Sequence, residues 1–372
     1  MIDTDFVNYT MRGGSHPDKE IEEVERQIVA RAFSTFLSNP DYQKKGLKWA
    51  YNLTHFQVLY WTSNPELIKF QYAKKQQPHY LEIEVSTTCN LKCTMCEHTH
   101  WNEKNQNMSF EDFKKIVNQF PQLKWLGMTG IGESYCNPEY PKMLEWIKKK
   151  GIYVENFDNF CFMDEEKVKQ MVDLSMDKMY VSLDAATKET YEKIRVGANW
   201  EKVIENICRL DRYKKEKHSA FPELWFHFIV SKDNKHEMIK YLDMIHKLKI
   251  DVKQVQFTIL LHAYKEIEDK FVTLSDEEKA EVVSHAMKLG ILATFNVNTG
   301  DCKSEKANCT AWTQPFIFVD GTMIQCCSMN EQNDRDWQRK TAIGNVLEKD
   351  INEIWKPFVH PNNGCERCFL FK

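Results

Sequence analysis

The sequence predicts an α/β fold, a partial (β/α)6 TIM-like barrel with a helical N-terminal extension and a small cysteine-organised C-terminal domain. Three observations lead there. From Tyr80 onward, short β-branched or aromatic runs alternate with capped helical stretches, the pattern of a parallel βα array. The 372 residues are more than one ordinary core needs and can fill two or three. The 12 cysteines fall mainly in two places, one directly after the first predicted strand and one near the carboxyl end.

Residues 1–78 read as mainly helical. Residues 20–37 are charged and amphipathic and residues 47–61 are rich in aromatics, while Pro65 opens 66–75 as a first-turn proline. This extension carries no catalytic motif and reads as a packing or dimerising cap. In the barrel, residues 79–271, strands are expected at 81–86, 125–129, 153–157, 179–183, 225–230 and 254–259. Helices between them are opened by Ser109 (with Asp112 three residues on), Asp164, Thr187 and Asn234, each a side chain suited to an N-cap. Right-handed crossovers place the loops after all strands on one rim, so function is expected at the strand carboxyl ends. From about Val272 the pattern changes. Ser275-Asp276-Glu277-Glu278 caps a helix that stops at Gly290, and residues 272–372 form the third unit.

The balance of 50 basic and 54 acidic side chains gives −4, so no whole-protein field favours nucleic acid or an anionic membrane as partner. The start, Met1-Ile2-Asp3-Thr4-Asp5, lacks a basic region before an apolar core, and no apolar run approaches the ~20 residues of a membrane span. A cytoplasmic location is therefore expected, where a reducing medium keeps thiolates available as metal ligands.

The most informative motif is Cys89-x3-Cys93-x2-Cys96, directly after the first strand. Three thiolates can hold three irons of a [4Fe–4S] cube and leave the fourth iron open to a non-protein ligand. The same residues also allow a zinc site completed by His98 or His100, or a set of small buried hydrophobes. In context, the triplet resembles that of the radical SAM superfamily, and the resemblance extends over about Pro78 to Lys372. It implies that the amino and carboxylate groups of S-adenosylmethionine (SAM) chelate the open iron. Reductive cleavage then yields a 5′-deoxyadenosyl radical that takes hydrogen from a substrate C–H bond.

The resemblance extends to further residues. Gly130-Ile131-Gly132-Glu133 is similar to the family's glycine-glycine-glutamate element, which meets the methionyl amino group. It departs from the common form in Ile131 between the glycines and in Ser134, where proline is frequent. Val181-Ser182-Leu183-Asp184 and the following Arg195 resemble the strand-four signature. By that likeness Ser182 and Asp184 face the ribose or the methionyl end, and Arg195 pairs with a carboxylate of SAM or substrate, which a guanidinium fork can grip bidentately. Val230 and Asn234 are weaker candidates for adenine contact, and Met95 can pack on adenine through its thioether. His98 and His100 are candidates for substrate-facing histidines, with His98 and Arg195 the expected catalytic pair.

A second cluster is expected at Cys309, Cys326, Cys365 and Cys368. Cys309-x11-Gly321-x4-Cys326 sets two thiolates around an Asp320-Gly321 turn, and Cys365-x2-Cys368 supplies the other pair. Spacing alone does not separate iron from zinc. The resemblance to the Twitch form of the SPASM extension implies an auxiliary [4Fe–4S] cluster, two clusters in all. Cys302 and Cys327 are spare, and Cys327 can exchange with Cys326 as ligand. Cys136, Cys161 and Cys208 read as core or surface thiols. The family implies a small-molecule or peptide substrate and a flavodoxin- or ferredoxin-type electron donor. An auxiliary electron acceptor fits oxidation of a hydroxylated small molecule or sugar. Peptide crosslinking is the enzymatic alternative, and a non-catalytic iron–sulfur or zinc protein the non-enzymatic one.

Overall fold

A computed structural model of the chain describes residues 19–57, 77–100, 103–260, 265–295, 314–326 and 334–355. The expected helix at 66–75 lies outside them. The N-terminal helices are α1 (Lys19–Ser38), α2 (Pro40–Lys45) and α3 (Leu47–Phe56). Pro40 stands in the first turn of α2, where its missing N–H costs nothing, and the Asn39 side chain accepts from the Asp41 N–H.

All six expected strands form: β1 (Tyr80–Ile83), β3 (Trp125–Gly127), β4 (Tyr153–Asp158), β5 (Lys178–Ser182), β7 (Glu223–Val230) and β8 (Gln254–Ile259). The loops after β1 and β5 add a short ribbon, β2 (Lys92–Cys93) with β6 (Arg195–Val196). Later come β9 (Ala293–Phe295), β10 (Phe316–Ile317), β11 (Thr322–Ile324) and β12 (Gly344–Asn345). The main sheet has ten strands in the order β12-β11-β10-β1-β3-β4-β5-β7-β8-β9 and stays open at both edges among the described residues. Neighbours from β10 to β9 pair parallel, while β11 and β12 are antiparallel additions. The parallel sheet thus runs past the six predicted units, with β9 on one side and β10 on the other.

Helices α4 (Phe110–Asn118), α5 (Tyr140–Lys149), α6 (Glu165–Asp173), α7 (Lys188–Ile194), α8 (Trp200–Glu216), α9 (Met238–Leu248) and α10 (Asp276–Lys288) connect the parallel strands. Shorter helices α11 (Arg335–Thr341) and α12 (Ile351–Ile354) follow. Ser109, Asp164, Thr187 and Ser275 cap α4, α6, α7 and α10 as expected, each accepting a backbone N–H three residues on. Such a cap is worth about 1 kcal/mol. Asn234 does not cap α9. Its Oδ1 accepts from Ser231 N–H and its Nδ2 donates to the Asp184 and Ile229 carbonyls, so it ties two strand ends together and the chain passes through a 3-10 turn before α9.

Alternation along the strands separates two faces. Leu81, Ile83, Leu126, Val154, Met179 and Phe226 belong to the main core with the helices, where each large buried side chain contributes roughly 1.5–3 kcal/mol. The opposite, inner face carries Tyr80, Trp125 and Tyr153 at the amino ends of the strands, and α3 packs across them with Trp49, Ala50, Leu53 and Phe56. Phe56 stacks on Trp125 at 3.7 Å and Trp125 on Tyr153 at 3.8 Å. Buried Asp177 locks this plug in place: it accepts from Lys45 Nζ (2.6 Å), Trp49 Nε1 (2.7 Å), the Val154 N–H (2.7 Å) and Lys148 Nζ. The inner face is therefore sealed below and reached from the rim. No helix among the described residues is long and apolar enough to cross a membrane.

Candidate active site

The site is built at the carboxyl ends of the parallel strands. β1 runs into the cysteine loop, where Cys93 is buried and Cys89 and Cys96 are partly buried. The β2–β6 ribbon sets Cys93 opposite Arg195. Arg195 directs Nε and Nη2 to Asp184 Oδ2, both at 2.6 Å, and turns Nη1 toward Cys93 Sγ at 4.0 Å. Asp184 is wholly buried, and its Oδ1 accepts the Ile229 N–H at 2.7 Å. Burial opposes the Arg195 charge, but Asp184 and the Cys93 sulfur outweigh it and raise its pKa. A permanent positive charge thus stands beside one thiol of the triplet.

The seven cysteines within the described residues are all free thiols. Burial raises the Cys89 and Cys93 thiols and pushes Cys96 up to about 12, and thiol–thiol repulsion adds to this at Cys89 and Cys96. Thiols in that state ionise against a metal rather than in its absence, so the donor set fits a cationic cluster. Among the described residues, no group of three or more His, Cys, Asp or Glu side chains gathers as one metal ion would require.

The Gly130–Glu133 loop lies against the loop after β1. A Cβ on Gly130 would stand 2.3 Å from Glu84 Cγ, and one on Gly132 would stand 2.5 Å from the Ser86 carbonyl oxygen. Both glycines are therefore demanded by contact between loops, whatever a ligand requires. The Glu133 N–H donates to the Thr88 carbonyl at 2.8 Å, which aligns this loop with the cysteine loop. The Glu133 side chain is buried. Its Oε2 accepts the Asn159 N–H at 3.0 Å, and the carboxyl of Asp158 lies beside it. Burial and then Asp158 raise Glu133, and burial raises Asp158. Among the described residues, no N–H donor reaches Glu133 Oε1 or Asp158 Oδ2. An ammonium group would supply what those oxygens lack, so the pair fits the amino end of SAM.

Other expected residues lie as follows. Ser182 is half-buried on the inner face beside His227. Met95 and Val230 are buried in the main core, the latter completely. The His98 ring is 1% exposed; its Nδ1 is 3.4 Å from Lys92 Nζ, and burial and Lys92 lower its pKa. His98 is thus packed inside the cysteine loop, while His100 lies at the end of the following 3-10 turn. Of the second cluster, only Cys326 and Gly321 fall within the described residues; Cys309, Cys365, Cys368, Cys302 and Cys327 lie outside. The Asp320-Gly321 turn forms with Gly321 at φ +83°, and Cys326 packs half-buried against Phe316, Phe318 and Ile324.

Sequence reasoning missed several residues around these. Asp158 ends β4, where the strand-end rule points, but its pairing with Glu133 has no linear signal. Asn159 Nδ2 donates to Asn90 Oδ1 at 2.9 Å, and Phe160 adopts φ +60°, which no residue type at that position announces. His227 sits inside a strand run, with its Nε2 2.8 Å from Thr258 Oγ1. Burial lowers its pKa to about 4, which leaves a neutral imidazole facing the cleft.

Comparison with known proteins agrees with this geometry. Residues 83–245 match the radical SAM superfamily, and residues 309–368 match the SPASM iron–sulfur cluster-binding domain. The chain is 26% identical over 298 residues to the tungsten-containing aldehyde ferredoxin oxidoreductase cofactor-modifying protein of Pyrococcus furiosus, covering 74% of this chain and 80% of that one. It is 30% identical over 128 residues to a probable GTP 3′,8-cyclase of Methanococcus maripaludis, covering 34% of this chain and 43% of that one. In fold it resembles Streptococcus suis SuiB bound to S-adenosylmethionine, with TM-score 0.63, 15% identity and coverage of 94% of this chain and 81% of SuiB. It also resembles anSMEcpe with bound AdoMet and Cp18Cys peptide, with TM-score 0.55, 17% identity and coverage of 79% and 83%. The chain belongs to the radical SAM superfamily and carries a C-terminal SPASM-type domain. It is accordingly an enzyme of SAM, a SAM-binding [4Fe–4S] cluster and an auxiliary iron–sulfur cluster.

Proposed function

We propose that this enzyme removes hydrogen from a C–H bond of a polar, hydroxylated small molecule of the sugar type and oxidises it. The carrying observation is the inner face of the sheet. Above the aromatic plug it presents half-buried Glu82, Glu155, Ser182, His227 and Gln256, interrupted by Phe157 stacked on Tyr180 at 4.1 Å. Lys178 lies 3.3 Å from Glu155 and over the Trp225 ring at 4.3 Å. A cleft so furnished binds hydroxyls and amines through directed hydrogen bonds and ring faces through stacking.

In this reading Cys89, Cys93 and Cys96 hold the first cluster, and Cys309, Cys326, Cys365 and Cys368 the auxiliary one. Bound SAM and the first cluster supply the hydrogen-abstracting radical. Glu133 with Asp158 receives the amino group of SAM. Arg195, aimed by Asp184, keeps positive charge at Cys93. His227, neutral at pH 7 and oriented by Thr258, accepts a hydrogen bond from a substrate hydroxyl at its free ring edge or through Thr258. After hydrogen loss, a hydroxyl-bearing carbon needs to give up one proton and one electron to become a carbonyl, and a cluster held by Cys309, Cys326, Cys365 and Cys368 would take up that electron. The relatives named for a cofactor and for GTP support a small-molecule substrate, whereas peptide modification rests on likeness of fold to SuiB and anSMEcpe.

The test is anaerobic turnover with dithionite, SAM and deuterated candidates, reading deuterium in 5′-deoxyadenosine by mass. Label from polyols, sugars or nucleotides supports the proposal. Label from peptides alone replaces it with a peptide-modifying role.

A further inference from the structure

Glu84, at the end of β1, is wholly buried, and both of its carboxylate oxygens are gripped by Arg335 Nη2 at 2.5 and 2.6 Å. Arg335 begins α11, far along the chain in the SPASM-matched segment, and its guanidinium carbon stands over the Phe318 ring at 3.7 Å from the centroid. Phe318 shares a small cluster with Cys326, so the arginine stands on the hairpin that carries that cysteine. The other side of Glu84 meets the candidate SAM loop. Glu84 Oε1 accepts the Ile131 N–H at 3.3 Å, and Gly130 sits so close on Glu84 that a Cβ there would collide with its side chain. Ile131 is the residue between the two glycines, and Glu133 follows by two. A buried carboxylate without its counter-ion turns or takes up a proton, so Arg335 determines where Glu84 presents its oxygen.

We infer that Arg335 is a positioning residue for the first site: from the auxiliary domain, through Glu84, it holds the Gly130–Glu133 loop in the conformation that binds SAM. The inference rests on the reading of Glu133 as a SAM contact, and its test separates the two. Arg339, one turn further along α11, provides the control. It makes two 2.7 Å bonds to Glu103 and an ion pair with Asp320 at 4.0 Å, and none of these involves Glu84 or the loop.

The experiment compares full-length holoenzymes carrying Arg335→Met, Arg335→Lys and Arg339→Ala by amide hydrogen exchange over residues 128–134 and by equilibrium SAM binding. Arg335→Met is expected to speed exchange at Ile131 about tenfold and to weaken SAM binding about tenfold, the effect of losing a buried support of modest strength. Arg335→Lys keeps the charge but not the flat fork, and is expected to show a smaller change in the same direction should the methionine variant not fold. Arg339→Ala is expected to change neither. Unaltered exchange at Ile131 in both Arg335 variants, or equal changes in Arg339→Ala, overturns the inference. Faster exchange with unaltered SAM affinity upholds the link from Arg335 to the loop and overturns instead the assignment of that loop to SAM.

Discussion

Replacing Asp184 by asparagine removes one charge from a pair that has no access to water. Arg195 places both Nε and Nη2 on the same carboxylate oxygen at 2.6 Å, with side-chain exposures of 8% and 0%. Surface pairs are worth at most about 1 kcal/mol, but removing one partner of a buried pair costs roughly 3–5 kcal/mol because the other charge stays behind. Arg195 cannot escape by losing its proton, since its pKa is raised further above that of a free guanidinium. Asparagine still offers an oxygen to the Ile229 N–H now bound by Asp184 Oδ1, so the lost term is the charge itself. Against a total stability of about 5–15 kcal/mol, a loss of this size moves the anaerobic urea midpoint of the holoenzyme far down. Arg195→Met is expected to cost a similar amount, and the double variant less than the sum, by about 2 kcal/mol or more. Additive costs, or a shift under about 1 kcal/mol for Asp184→Asn, would show that the pair is solvated and that Arg195 is not aimed by Asp184.

Gly132→Ala drives a methyl group into the backbone of residues 86–88 and is expected to cost about 1–3 kcal/mol, with lowered iron content after reconstitution because the cysteine loop has to shift; full iron loading refutes the close approach. Replacing Cys89, Cys93 and Cys96 together by alanine should leave roughly four irons of about eight, all in the auxiliary cluster, with no 5′-deoxyadenosine formed. Burial pushes the Asp177 carboxyl up, but Lys148 and Lys45 outweigh it and hold its pKa below the ordinary value. Its contribution is therefore complete above an unfolded pKa of about 3.9 and is lost as pH falls through the lower native value. Asp177→Asn should lower stability at neutral pH and flatten that part of the acid limb, read from far-ultraviolet circular dichroism; an unchanged acid limb refutes the role of the two lysines.

The parallel strands were legible because each is a short β-branched or aromatic run between capped helices. The caps at Ser109, Asp164, Thr187 and Ser275 were legible for the same local reason. Asn234 misled because its side chain is used across strands, a tertiary choice that overrides its capping propensity. Strands of two or three residues such as β2, β6 and β10 lie below what periodicity detects, since their pairing is decided by distant partners. The site residues divide in the same way. Cys89, Cys93, Cys96 and Arg195 stand in local motifs. Asp158, His227, Glu84 and Arg335 acquire their meaning from neighbours up to 251 positions away.

The same long reach joins the segment that bears Cys326 to the strand that leads into the cysteine triplet. The hairpin bearing Cys326 begins with β10, which pairs parallel with β1, the strand that leads into Cys89. The Glu82 N–H donates to the Pro315 carbonyl at 3.1 Å and the Glu84 N–H to the Ile317 carbonyl at 2.9 Å. Backbone ladders deform little, so the bonds that set Cys326 relative to the cysteine triplet are sheet bonds, not the flexible geometry of a linker. The buried Glu84–Arg335 pair adds an ionic tie at the same junction. In the proposed oxidation, electron transfer from a substrate radical would depend steeply on separation, and a hinge here would vary it with each thermal swing. Building the auxiliary segment onto the edge of the catalytic sheet removes that hinge, and it places the cost of any movement on β1 and the Gly130–Glu133 loop together.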